Sequence, residues 1–229
     1  GHVLIGAPTG IAALNVGGKT LHSLCQLPPA WITRDDIKEN RRSPAKAAKL
    51  LIIDEISMVN ANVLDGVSRF FQVNRGSTEP FGGLPVVMVG DLFQLPPVIG
   101  RDTAALFARE GYASRKFFGA HALRNAPYYA VELKKAFRQV DQDFVNLLGR
   151  LREGIEIDAC LAEINQKCAI VTEPIDGAVW LSPRNAEADR RNTGKLAELP
   201  GPARRYDGQL KGQFREDRLP APRVIDLKV

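Results

Sequence analysis

Metal-ligand cysteine spacing, membrane-length apolar runs, internal repeats and a large charge excess are all absent from this sequence. The three cysteines, Cys25, Cys160 and Cys168, are odd in number and no two stand as C-x-x-C. That spacing speaks against a zinc site and leaves free thiols in a reducing compartment as the expectation. No apolar run reaches the ~18 residues of a membrane helix, and no signal-peptide pattern opens the chain. A cytoplasmic setting is expected for a bacterial protein, and a nuclear or mitochondrial one for a eukaryotic protein. Thirty-one Lys and Arg against 26 Asp and Glu give a net charge of +5, which permits nucleic-acid binding without requiring it. A glycine-rich phosphate loop, G-x-x-x-x-G-K-[ST], is missing as well: Gly17-Gly18 and Gly82-Gly83 read as turns.

The chain instead shows an alternation of short apolar runs with helical patterns. It has 229 residues and a hydrophobic fraction of 45%, enough for one large domain or two small ones. Val3 to Ala7, Leu50 to Ile53 and Leu84 to Val89 read as strands buried on both faces, as in parallel sheets. Further strands are expected at Tyr128 to Leu133 and Ala178 to Leu181. Pro8-Thr9-Gly10 breaks the first strand and opens a helical turn, and Gly17-Gly18 ends it. Leu21 to Ala30 is apolar but interrupted by proline, so it is expected to be irregular, and Arg34 to Lys49 to be charged and exposed. Asn60 or Asn62 can cap a helix running through Phe71. Asp141 opens an amphipathic helix with Phe144, Leu147, Leu148 and Leu151 on one face, which Gly154 ends. Cys160 to Cys168 and Asn185 to Leu199 read as further helices, and Arg223 to Val229 as an extended run. The pattern predicts α/β architecture with a mostly parallel sheet, and the composition around Arg124-Asn125-Ala126-Pro127 marks a boundary between a first domain and the start of a second.

Four constellations carry chemistry. Leu50-Leu51-Ile52-Ile53 runs straight into Asp54-Glu55. A parallel strand presents such residues at its carboxyl end, where open α/β sheets bind ligands. There Asp54 can hold Mg²⁺ on a nucleotide, and Glu55 can orient or deprotonate the attacking water. In Gly90-Asp91-Leu92-Phe93-Gln94-Leu95-Pro96-Pro97, glycine turns the chain out of a strand and two prolines stiffen the loop beyond it. Gln94 then stands where an uncharged donor can sense a terminal phosphate. Leu133-Lys134-Lys135-Ala136-Phe137-Arg138-Gln139 offers a guanidinium able to reach across a domain cleft. Thr9, Thr20, His22 and Ser23 are polar groups on loops, suited to phosphate contacts along a single strand, although such groups commonly serve as local caps. Trp31, Phe81 and Phe93 fall on expected loops, where aromatics can stack bases but more often pack on the surface.

In order along the chain, these motifs resemble the Pif-one branch of the superfamily-one DNA helicases, relatives of RecD. Ala7-Pro8-Thr9-Gly10-Ile11-Ala12-Ala13, Gly17-Gly18-Lys19-Thr20-Leu21-His22-Ser23, Ile52-Ile53-Asp54-Glu55-Ile56-Ser57-Met58, Pro80-Phe81-Gly82-Gly83, Gly90 to Val98 and Phe137-Arg138-Gln139 carry the resemblance. Asp143-Phe144 to Arg152-Glu153-Gly154 and Leu181 to Asn192 fit as well. The resemblance implies a RecA-like P-loop NTPase sheet with helices on both faces in residues 1–125, and part of a second RecA-like motor domain in residues 126–229. It implies ATP and Mg²⁺ as cofactors and single-stranded DNA and DNA junctions as partners. The implied activity is 5′-to-3′ translocation with duplex unwinding by a monomeric motor, in DNA replication, repair and recombination. By the same resemblance Asp54 binds Mg²⁺ on the nucleotide and Glu55 activates water. Gln94 couples the γ-phosphate to movement, Arg138 is an arginine finger, and Pro8, Thr9, Thr20, His22 and Ser23 line the DNA path.

The family's phosphate loop stands shortly before the Ala7-Pro8-Thr9 segment, and its late motifs would follow Val229. The chain therefore reads as an internal stretch of a helicase. A non-catalytic module that binds single-stranded nucleic acid is the alternative, with salt-sensitive and ATP-indifferent binding as its signature. A different P-loop ATPase is disfavoured by Gly90 to Pro97 and Phe137 to Gln139 together. Purified residues 1–229 are expected to show no appreciable ATP hydrolysis; robust DNA-stimulated phosphate release would overturn that expectation.

Overall fold

The computed structural model describes residues 2–124, 126–135, 137, 139–168, 178–209 and 223–228. Packing divides the chain into two compact units, residues 1–161 and 162–229. This division follows contacts, and so differs from the motor-domain boundary expected at residues 125 and 126.

The first unit is built on a parallel sheet. Strands β1 (His2–Ala7), β2 (Lys19–Thr20), β3 (Ala48–Ile53) and β4 (Val86–Met88) lie in the order β2-β1-β3-β4. Every pairing is parallel, with Gly6 opposite Ile53 and Ile53 opposite Met88. The α/β class with a parallel sheet, expected from the alternating pattern, is what the structure shows. Burial on both faces is corrected, however. Register puts Leu4, Leu51, Ile53, Val86 and Met88 on one face, and these are buried or packed against the core. Val3, Ile5, Leu50, Ile52 and Val87 share the other face and stay partly or largely exposed. Side chains alternate across a strand, so a continuous apolar run is buried on both faces only when both are covered.

Helix α3 (Ala61–Arg75) covers the core face with Leu64, Val67, Phe70 and Phe71. Asn60, not Asn62, is its cap: the Asn60 Oδ1 accepts from the Val63 amide at 2.9 Å. Asn62 is buried and exchanges two 2.9 Å hydrogen bonds with the backbone of Ile32, tying a distant loop to the helix. Gly76 ends α3 with φ at 65°, a conformation glycine adopts without a Cβ clash. In the last turn, Arg75 donates to the carbonyls of Gly82, Ala45 and Ala48 at 2.9–3.0 Å.

Several local expectations are revised. Leu21–Cys25 forms a short helix, α2, the next after α1 (Gly10–Asn15) in the chain. Its start is capped by Thr20, and the prolines come only after Gln26 has ended it. Burial holds the Cys25 thiol above its ordinary pKa. The segment 34–49 contributes two single 3₁₀ turns and buries Ile37, Ser43 and Ala45. Helix α4 (Arg101–Arg109) went unmarked in the sequence; its one buried residue is Phe107, edge-on to Trp31 and Tyr112. Trp31 and Phe81 are therefore packing residues, whereas Phe93 stays at the surface. Tyr128 to Leu133 forms no strand and joins no ladder among the described residues, and Tyr129 and Leu133 are about nine-tenths exposed (97% and 88%). β propensity makes a strand only where a partner edge is at hand. Helix α5 (Gln142–Glu153) matches its expected bounds, capped by Asp141 and ended by Gly154. Helix α6 (Ile157–Lys167) comes next.

In the second unit, α7 (Asn185–Glu198) is followed by β5 (Arg204–Asp207) and β6 (Val224–Leu227), an antiparallel pair. Arg205 stands opposite Asp226 and makes a two-pronged ion pair at 2.9 and 3.0 Å. That hydrogen bonding holds the Asp226 carboxyl below its ordinary pKa. Lys228 ties β6 to α7 through the carbonyls of Ala197 and Leu199. The strand expected at Ala178 to Leu181 is not formed; Trp180 instead lies 3.8 Å beneath the Arg191 guanidinium.

Phe71→Ala, which empties a fully buried ring site, is expected to cost about 3–5 kcal/mol. The urea midpoint of the first unit, followed by far-UV circular dichroism, measures it.

Candidate functional site

The carboxyl edge of the sheet is held together beyond the last paired residues of its strands. The Asp54 amide donates to the Gly6 carbonyl at 2.9 Å, and the Val89 amide to the Ile53 carbonyl at 2.8 Å. The Ile56 amide then returns to the Val89 carbonyl at 2.9 Å. Asp54 is thus fixed between the exits of β1 and β4. Glu55 follows in the left-handed region, with φ at 51° and ψ at 42°. That conformation disfavours any residue with a Cβ, and such outliers cluster at functional sites. It starts a 3₁₀ turn, Ile56–Met58, against which Gly90 packs closely. A Cβ on Gly90 would lie 2.9 Å from the Ile56 Cγ2 and 3.0 Å from the Ile56 amide nitrogen. Only glycine leaves the turn where it is.

The loop after β4 is organised by Asp91. Its Oδ1 accepts from the Phe93 amide at 3.0 Å and from the Arg152 Nη2 of α5 at 3.1 Å. Its Oδ2 faces the Gln94 Nε2 at 3.4 Å, and the Gln94 amide donates to the Asp91 carbonyl at 3.1 Å. The Arg152 guanidinium also lies over the Phe93 ring, 4.8 Å from its centroid. An open cleft of about 670 Å³ is lined by Thr9, Asn15, Asp54, Glu55, Met58 and Gln94, among others. Gln94 lines the same cleft as Asp54 and Glu55.

The structure therefore brings Thr9, Asp54, Glu55 and Gln94 into one cleft wall. Pro8 precedes Thr9, whose hydroxyl caps α1 by accepting from the Ala12 amide at 3.2 Å. Thr20 sits opposite Ala7 in the β1–β2 pairing and caps α2, accepting from the Ser23 amide at 3.2 Å. His22 and Ser23 lie in that same helix, His22 half-buried and Ser23 exposed. These five residues share the carboxyl edge, but Pro8, Thr20, His22 and Ser23 do not line the cleft. Arg138 falls outside the described residues. Asp91 and Arg152 were missed as partners. Asp followed three residues later by a polar donor is a turn signal, whereas nothing in sequence spacing joins Asp91 to Arg152.

No group of three or more His, Cys, Asp or Glu among the described residues could hold a metal ion by itself. Mg²⁺ on a nucleotide needs only one or two protein carboxylates, the remaining ligands being phosphates and water. Asp54, fixed by the ladder and facing open space, suits that role. A larger hollow, about 750 Å³, lies against α3 between Trp31, Asp65, Tyr112 and His121. It is remote from this chemistry, and its polar groups serve one another: Asp65 accepts from the His121 and Ala122 amides at 3.1 and 2.8 Å.

Comparison with known proteins decides the family. The sequence model of the PIF1-like helicase matches residues 1–159, well over half of the chain. The chain belongs to the PIF1-like helicase family. It is 30% identical to the ATP-dependent DNA helicase PIF1 of Emericella nidulans over 99% of its own length and 31% of that protein's. Against the PIF1 helicase of Danio rerio it is 32% identical over 97% of its length and 35% of the relative's. The chain thus spans about a third of the curated relatives it matches. A crystal structure of Bacteroides Pif1 helicase in complex with ADP-AlF3 and single-stranded DNA superposes on the whole chain with a TM-score of 0.86 and 36% identity, over 54% of that protein. The Pif1 helicase of Candida albicans superposes on 99% of the chain, with a TM-score of 0.81, 30% identity and coverage of 53% of its own chain. The family resemblance read from the ordered motifs is correct.

The half-buried imidazole of His22, one of the PIF1-like motif residues, is held below its ordinary pKa by desolvation. As pH falls through about 6.5 the unfolded chain takes up a proton that the folded state resists. Stability from this residue is thus present above that pH and lost below it. Urea midpoints between pH 7.5 and 5.5 are expected to fall more steeply in the wild type than in His22→Gln.

Proposed function

We propose that this chain forms part of an ATP-driven DNA helicase motor, one that moves 5′ to 3′ along single-stranded DNA and unwinds duplex. The observation that carries the reading is the cleft at the carboxyl edge of the sheet, where Thr9, Asp54, Glu55 and Gln94 meet. Asp54 would hold Mg²⁺ on the nucleotide. Glu55, displaced from the strand by its left-handed backbone, would orient the attacking water and accept its proton. Gln94 would donate to the γ-phosphate and register its loss, and Arg138 would supply positive charge to the transferring phosphoryl group. When bound, the nucleotide supplies the phosphoanhydride whose hydrolysis drives movement. The phosphate loop needed to cradle it is not among these 229 residues, so the activity is that of a polypeptide carrying both.

Pro8, Thr9, Thr20, His22 and Ser23 would form the DNA path. A capping hydroxyl accepts from an amide and keeps its own O–H to donate. Thr9 and Thr20 can therefore hold their helices and a phosphate oxygen at the same time. Single-stranded DNA and junctions are the proposed partners, with backbone contacts providing grip without sequence readout. In this reading residues 1–125 belong to the first motor domain and 126–229 to the second. The motor acts as a monomer in DNA replication, repair and recombination, in the bacterial cytoplasm or in the nucleus or mitochondrion of a eukaryote.

In a polypeptide carrying this chain together with a phosphate loop, Glu55→Gln is expected to lower ATP turnover by ~10²–10⁴. Single-stranded DNA affinity should stay close to that of the wild type. Steady-state phosphate release and fluorescence anisotropy measure the two; unchanged turnover would remove Glu55 from the chemistry.

A further inference from the structure

We propose that Arg152 is a positioning residue for Gln94, so that α5 sets the attitude of the nucleotide-sensing loop; this rests on the reading of Gln94 as a phosphate sensor. The loop has little else to hold it. Leu92, Phe93, Leu95 and Val98 are all more than half exposed (58%, 60%, 72% and 95%), so apolar burial does not fix its path. Its internal hydrogen bonds all converge on Asp91. Among the described residues, Arg152 is the group that ties Asp91 from outside the loop, at 3.1 Å. It does so with two different parts of its chemistry. The charge engages the Asp91 Oδ1, while the guanidinium carbon lies over the Phe93 ring. Lysine can supply the charge but not the planar fork.

The consequence is mechanical. Asp91 is held between Arg152 on one oxygen and Gln94 on the other. A shift of the last turn of α5 therefore moves the Asp91 carboxylate, and with it the side-chain amide of Gln94. Helix α5 begins four residues after Arg138, at Gln142. The segment bearing the proposed arginine finger and the loop bearing the phosphate sensor are thus joined through one helix. The Arg152 charge also balances that of Asp91, so the loop adds no net negative charge beside a cleft meant for phosphates. Exposed ion pairs of this kind contribute little to global stability, and the role is one of geometry.

Two measurements test it, with Arg152→Ala, Arg152→Lys, Phe93→Leu, Asp91→Asn and the Arg152→Ala/Asp91→Asn double variant. In the 229-residue chain, hydrogen–deuterium exchange at the Phe93 and Gln94 amides is expected to accelerate in Arg152→Ala and in Asp91→Asn, with Tm little changed. In the longer polypeptide that carries a phosphate loop, Arg152→Ala should lower the DNA-stimulated kcat by roughly 10- to 100-fold, the cost of misplacing a positioned group. KM for ATP should stay within about twofold, since a lost transition-state contact lowers kcat and leaves ground-state binding. The double variant should be no slower than the slower single variant, because both act along one route. Arg152→Lys should recover part of the loss, and Phe93→Leu should reproduce part of it. Unchanged exchange, unchanged kcat or additive losses would each overturn the proposal. A wild-type polypeptide without DNA-stimulated hydrolysis would instead overturn the helicase reading, and the exchange data would still decide whether Arg152 fastens the loop.

Discussion

The parallel ladder between β1, β3 and β4 is the constraint on which the rest depends. It does not stop with the strands: the Asp54 amide still bonds to the Gly6 carbonyl, and the Val89 amide to the Ile53 carbonyl. Three chain segments therefore leave the sheet at one edge in a set order. Parallel strands all end on the same side, which is why residues far apart in the chain, Thr9 and Gln94, line one cleft with Asp54 and Glu55. Backbone hydrogen bonds do this positioning, and the side chains are left free for chemistry.

Around that edge the same polar groups carry both architecture and proposed function. Thr9 and Thr20 cap short helices whose first turns stand at the carboxyl edge. Glu55 adopts a disfavoured backbone conformation that turns the chain away from the strand. Gly90 has no side chain because the turn at Ile56 occupies the space. Loops are pinned to α3 by its buried Asn62 and Asn74 and its half-buried Arg75.

Legibility followed the range of the interaction. The cap of α5 at Asp141 and its stop at Gly154 are contacts within four residues and can be read from residue type, whereas residue type left Asn60 and Asn62 equal as the cap of α3 and the structure chose Asn60. Tyr128 to Leu133 and Ala178 to Leu181 have the apolar, β-branched or aromatic character of strands, yet neither is paired among the described residues. Strand formation depends on what lies alongside, and that is a long-range fact. Trp31 and Phe81 show the same limit: a loop aromatic reads as available for stacking until the core it packs into is known.

The sequence by itself determined the family and the order of the motifs, and it is the source of the roles proposed for Asp54, Glu55 and Gln94, because residue type and local spacing fix which atoms can ionise, donate or turn the chain. Tertiary structure alone decided which face of the sheet is buried, that Thr9 joins the carboxylates in one cleft, and that Arg152 reaches Asp91 across about sixty residues of chain. Those facts arise from packing and hydrogen bonds between distant segments, whose geometry no local pattern encodes.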